Sequence, residues 1–228
     1  MLSRTSRAGA ASLLLAPVIV IAAALIQPTL SDEAAKQVAA LRLHHGAVIL
    51  GLTLSNVSLL LLIAGMVWLA LTLAPRVPRL AVVGGVLGVF GSLVVLFENG
   101  VSAATPSIVS GLDPVQATTL VHHLHTGTAV AAVEPLSILG DIGLALLGVA
   151  TARVGAPRWS ALAIAVGALG EGAGFATGTK GAVIAAFAIM LIGLLQVVRV
   201  LMGAHAGSAA PARGTQVISG FSAAREGA

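Results

Sequence analysis

Residues 46–97 read GAVILGLTLSNVSLLLLIAGMVWLALTLA (46–74), PRVPR (75–79) and LAVVGGVLGVFGSLVVLF (80–97), two apolar runs joined by a short turn of proline and arginine. Each run is about long enough to cross a hydrocarbon core of ~30 Å, which needs roughly 20 helical residues. Backbone in lipid must satisfy its own hydrogen bonds, and no period-two alternation suggests a barrel, so both runs are expected to be helices. Similar runs occur at 8–26, 126–152, 159–177 and 181–198. The expected fold is therefore all-α: a polytopic transmembrane helix bundle of six spans within residues 1–202, followed by a disordered tail at 203–228 that is too poor in large apolar residues to pack.

Composition agrees with lipid as the solvent. Hydrophobic residues make up 57% of the 228 and charged residues only 9%, where soluble domains carry about a quarter. Mean hydropathy is +1.04. The net charge of +4 and the isoelectric point near 11.1 do not point to nucleic acid, because no basic cluster with interleaved aromatics is present. The absence of cysteine excludes disulfides, zinc–thiolate sites, iron–sulfur clusters and thiol nucleophiles.

The placement of the cations predicts an orientation. Arg4, Arg7, Arg76, Arg79, Arg153, Arg158, Arg199, Arg213 and Arg225 flank one side of the runs, and only Lys36, Arg42 and Lys180 flank the other. By the positive-inside rule both termini are cytoplasmic in a bacterial inner membrane, and the segments near 27–45, 98–125 and 178–180 face outward. The first run, preceded by Arg4 and Arg7, also reads as a secretory signal, which would leave the other spans unchanged. In the outer segments, Asp113–Pro114 is a helix-start signal, and Asp32–Glu33 is another. From Asp113 a single helix is expected to run through His122, His123 and His125 into the fourth span.

A gapless shift of 79 residues pairs His44 with His123, Ser58 with Ser137, Thr72 with Thr151, Pro78–Arg79 with Pro157–Arg158, Gly88 with Gly167 and Gly91 with Gly170. Compositional bias accounts for part of this. A duplicated hairpin would account for all of it, with copies running parallel about an axis along the membrane normal.

Ionisable groups inside spans cost roughly 2.5–3.5 kcal/mol each on insertion scales, which makes Glu134, Asp141 and Glu171 the first functional candidates. On one helix His123, Glu134 and Asp141 would share a face, with Pro135 kinking it, and Asn56, Ser55 and Ser58 on the second span are possible polar partners. Gly84 and Gly88 on the third span, and Gly170, Gly174 and Gly178 on the fifth, are small-residue ridges suited to close helix packing. Five of the six histidines, His44, His45, His122, His123 and His125, gather at outer boundaries with Glu98, Asp32, Glu33 and Asp113. Imidazole with carboxylate suits a metal, a proton relay or a pH sensor, and interfacial histidines are also tolerated with no role at all. A haem would need paired imidazoles deeper in the bundle. No nucleophile elbow, zincin, Walker or dinucleotide motif is present.

With its six runs, the Pro157–Arg158–Trp159 turn and the polar fourth span, the chain resembles small multi-spanning membrane proteins of actinobacteria over residues 8–202. That resemblance of layout implies no catalytic residues. The leading expectation is a non-enzymatic membrane partner or accessory protein, alone in the bilayer or as a homo-oligomer, with no cofactor. A small proton-coupled transporter using Glu134, Asp141 and Glu171 is the alternative, and a metal- or haem-binding membrane protein is the third.

Overall fold

A computed structural model describes residues 4–29, 33–126, 132 and 134–207, without the side chains of residues 125, 134, 176 and 204–207. Every regular element in them is helical. In chain order these are α1 (Arg4–Ile26), α2 (Ala34–Leu43), α3 (His45–Leu73), α4 (Pro78–Ser110), α5 (Pro114–Thr126), a 3-10 helix at Glu134–Ser137, α6 (Ile138–Arg153), α7 (Arg158–Ala176) and α8 (Lys180–Gly207). Asp32, expected to start α2, and the tail from 208 onward lie outside the described residues.

Five helical segments are long and apolar enough to cross a membrane: α1, α3, α4, Pro135–Arg153 and Lys180–Gly203. The chain is thus a multi-pass helical bundle with the character of a membrane protein. α7, with Glu171 amid glycines, is not among the five. It is nevertheless packed as they are. The long helices form a closed ring in the order α1, α3, α4, α6, α7, α8 and back to α1. Large apolar side chains point outward around it, on α7 as elsewhere: Leu162 is 64% exposed and Leu71 on α3 is 70% exposed.

Ring neighbours run antiparallel. Gly9 meets Trp68 and Gly65 meets Leu13 between α1 and α3, while Gly88 meets Met66 between α3 and α4. Gly91 meets Gly140 and Gly88 meets Gly143 between α4 and α6, and Gly174 meets Val183 between α7 and α8. This alternation brings Arg4, Arg7, Arg76, Arg79, Arg153, Arg158 and Arg199 to one end of the ring. At that end a single core of Leu13, Met66, Leu69, Leu73, Leu147, Ile164, Met190 and Leu194 joins all the ring helices but α4, which contributes Ala81.

α2 and α5 cap the other end. They pack on each other and on the far end of α4 through a second, smaller core of Val38, Leu41, Val48, Val109, Ala117 and Val121. Asp113 Oδ1 accepts from the backbone N–H groups of Val115 (2.9 Å) and Gln116 (3.0 Å), the N-cap that the Asp–Pro signal predicts. Arg42 Nη2 donates to the carbonyls of Val109 (3.2 Å), which also accepts from the Leu112 N–H, and of Leu112 (2.7 Å), tying α2 to the C-terminal end of α4. Lys180 Nζ does the same for Leu25 and Gln27 at the end of α1.

The 79-residue shift sets the starts of α2 and α4 within one residue of those of α5 and α7. Gly91 faces α6, Gly88 lies between Met66 of α3 and Gly143 of α6, and Gly167 and Gly170 face α8. Two departures from the sequence reading stand out. α4 does not stop at Phe97 but continues through Glu98 to Ser110, carrying the cap on its end. In the stretch expected as one helix through 126–152, Glu134–Ser137 is a 3-10 helix that leads into α6, while 127–131 and 133 lie outside the described residues. The apolar face of α5, Ala117 and Val121, is buried against α2.

Candidate functional site

The glycines of α4 and α6 set the geometry of the polar half. A Cβ on Gly143 would lie on the backbone of Gly88, with the Gly84 carbonyl oxygen at 2.6 Å, so the two helices touch main chain to main chain. Such contact replaces side-chain burial by dispersion between backbones, the usual means of helix association where lipid removes any hydrophobic driving force. It also fixes the height of α6. Asp141, between Gly140 and Gly143, lies in the first turn of α6, at the positive end of its dipole and about 18 Å along the helix from Arg153.

From α7 a second acid arrives at the same height. A Cβ on Gly172 would stand 3.0 Å from Asp141 Oδ2, so the Asp141 carboxylate occupies the space that the glycine leaves beside Glu171. Glu171 precedes Gly172 on α7 and so lies at the height of Asp141. Both side chains are part-buried. The glycine-dense run 170–174 therefore divides its work: Gly170 and Gly174 face α8 at Ala186 and Val183, while Gly172 faces α6. Gly178, grouped with that ridge in the sequence, is instead the left-handed residue (φ +62°) in the turn after α7, and nothing lies near it.

Two further polar groups stand nearer the capped end. The register pairing Gly88 with Met66 and Gly85 with Ala70, carried outward, sets Asn56 of α3 level with Glu98 of α4. The register pairing Gly91 with Gly140 likewise sets Glu98 level with the start of the 3-10 helix at Glu134. Asn56 Oδ1 is buried and accepts no hydrogen bond among the described residues. Ser58, expected as a partner for the acids, faces the other way and donates to the Ala16 carbonyl (2.7 Å), beside the break that Pro17 makes in α1. Above Asn56 and Glu98, under the α2–α5 cap, lies a cavity of about 240 Å³ that reaches Leu52 of α3, Ser102 and Thr105 of α4, Gln37 of α2 and Gln27 at the end of α1.

His44, His122 and His123 are exposed and His45 is part-buried; the His122 and His123 rings are 6.1 Å apart and tilted. Among the described residues no three His, Asp or Glu side chains are placed to hold a metal ion. The side chains of His125 and Glu134 lie outside the described residues. The face that His123, Glu134 and Asp141 would share on one straight helix is interrupted, since Glu134 sits in the 3-10 helix and His123 on α5.

The chain matches no protein-family model, no curated protein and no solved structure. Its function must be argued from the polar half alone.

Several members of that half carried no usable sequence signal. Gly140, Gly143 and Gly172 look like any glycine in an apolar run until a neighbour is placed against them. The 240 Å³ cavity depends on α2 and α5 folding over the bundle end, a tertiary event with no local signature.

Proposed function

We propose that the chain is a six-span protein of a bacterial cytoplasmic membrane, N-in and C-in, acting as a small proton-coupled carrier whose proton site is the Asp141–Glu171 pair. Support for a sixth span is the place of α7 in the closed ring and its outward apolar face. Support for the orientation is the gathering of all seven described ring-flanking arginines at one end.

One observation carries the carrier reading: two helices bring two carboxyl groups together inside the bundle, at a glycine that makes room for one of them. Like charges this close, with little water to screen them, repel strongly unless a proton or another cation is held between them. A bundle that served only as a passive partner would gain stability from losing either acid. Their retention at one point favours a group that takes up and releases a cation. The rest of the bundle suits that role. On the arginine side of the pair the ring is closed by Met66, Leu69, Leu147, Ile164 and Met190, all buried. On the other side come Asn56, Glu98 and then the cavity. The arrangement is that of a carrier shut at one face, with two parallel repeats available to rock about the site.

The test is proton movement in proteoliposomes with a trapped pH-sensitive dye and an imposed pH gradient. The wild-type chain dissipates the gradient faster than protein-free vesicles, and Asp141→Asn and Glu171→Gln return the rate to the protein-free value while still inserting. Equal rates for wild type and both variants would remove the carrier reading.

A further inference from the structure

We infer that the cavity beneath the α2–α5 cap is a binding site for a small amphipathic molecule with a hydrogen-bond-donating, cationic head, of the alkylammonium class. As the carrier's substrate site it rests on the carrier reading; as a binding site it stands on its own geometry.

Size comes first. At about 240 Å³ the cavity falls somewhat below the ~300 Å³ at which drug-sized pockets begin, so it suits a small molecule rather than a lipid. Its wall has two characters. Leu41, Val48, Leu52 and Val101 offer an apolar surface, and Gln27, Gln37 and Ser102 offer uncharged polar groups. Among the described residues no lysine or arginine lines it. The cations nearest in sequence are already engaged: Arg42 on the carbonyls of Val109 and Leu112, Lys36 on Glu33 (2.7 Å), and Lys180 on the backbone carbonyls of Leu25 and of Gln27, the latter a lining residue. An anionic head would therefore meet no uncommitted cation among the described residues.

Below the lining the character changes. Asn56 follows Leu52 by four residues and Glu98 precedes Ser102 by four, so each continues a cavity-lining face one turn deeper, beyond the lining itself. Asn56 contributes a buried acceptor that lacks a donor among the described residues, the kind of group that costs about 1–3 kcal/mol when left unmatched. Glu98 contributes a carboxyl group at the same level. A molecule that buries a short apolar tail against Leu52 and Val101 and points an ammonium inward would give Asn56 Oδ1 its missing donor. It would also place a positive charge toward the acids of the bundle. In a carrier, that charge and the proton on Asp141–Glu171 would act in opposition, the basis for exchange.

The experiment is calorimetric titration of the full chain in detergent micelles with hexylammonium chloride, hexan-1-ol and sodium hexanoate. Hexylammonium binds saturably, hexanol roughly tenfold more weakly for want of the charged donor, and hexanoate not at all. Asn56→Leu weakens hexylammonium roughly tenfold, and Ser102→Phe fills the cavity and abolishes binding. Should Ser102→Phe fail to fold, Asn56→Leu decides alone. Equal binding of the three probes, or hexylammonium binding indifferent to Asn56→Leu, overturns the site. Binding without proton movement in the wild type keeps the site and removes the carrier; proton movement without binding removes the site alone.

Discussion

The two ends of the ring are built from the same helices and differ in almost everything else. At the arginine end, Leu13, Leu69, Leu73, Leu147 and Ile164 are completely buried, and described acids are absent from the ring. At the capped end the helices are topped by a separate small core, part around a cavity and carry Glu98, Asp141 and Glu171. A uniformly apolar ring would be easier to insert. The described acids of the ring are confined to the looser half, so the two ends differ in packing and in charge.

Substitutions along the ring should reproduce that contrast. The largest effect is expected from Gly143→Leu, whose Cβ would overlap main chain of Gly88 that cannot yield. It should abolish the monodisperse folded protein on size exclusion, whereas Gly100→Leu in the capped half, with nothing within 4 Å, should elute as wild type. Next comes Leu147→Ala in the closed half, expected to cost about 2–5 kcal/mol in denaturant unfolding from mixed micelles. Leu52→Ala on the cavity wall should cost roughly half of that or less, since part of its surroundings is already empty. Equal losses would mean that the two halves are equally packed. Arg42→Ala frees the carbonyls of Val109 and Leu112 and should cost about 1–2 kcal/mol, seen as faster hydrogen exchange in α2 and α5 with α7 and α8 unaltered. The smallest effect is that of Asp113→Ala, about 1 kcal/mol and limited to fraying at the start of α5.

The sequence was most legible where one interaction dominates. Long apolar runs and arginine placement forecast a helical membrane bundle because lipid leaves the backbone little choice. The N-cap at Asp113 was readable because it lies within four consecutive residues, 113–116. The 79-residue echo falls on helices that follow the same order along the chain. Less legible was anything set by two segments at once. Glu134, Asp141 and His123 form a face only if one α-helix runs through them, and the 3-10 helix at Glu134–Ser137 changes the register between them. Conversely, Asp141 and Glu171 are thirty residues apart with no shared motif, and they meet because Gly140, Gly143 and Gly172 let α6 approach both its neighbours. The histidines lie near the ends of helices along the chain, and folding leaves His44, His122 and His123 exposed.

The central claim is that Asp141 and Glu171 act as one site. Infrared difference spectroscopy of the chain in lipid, following the carboxyl C=O stretch as bulk pH is stepped, tests it directly. A shared site predicts that Asp141→Asn changes the band of the remaining glutamic acid, and Glu171→Gln that of the remaining aspartic acid, so that the two single-variant spectra do not sum to the wild-type spectrum. Two bands that titrate independently, each deleted cleanly by its own substitution, would contradict it.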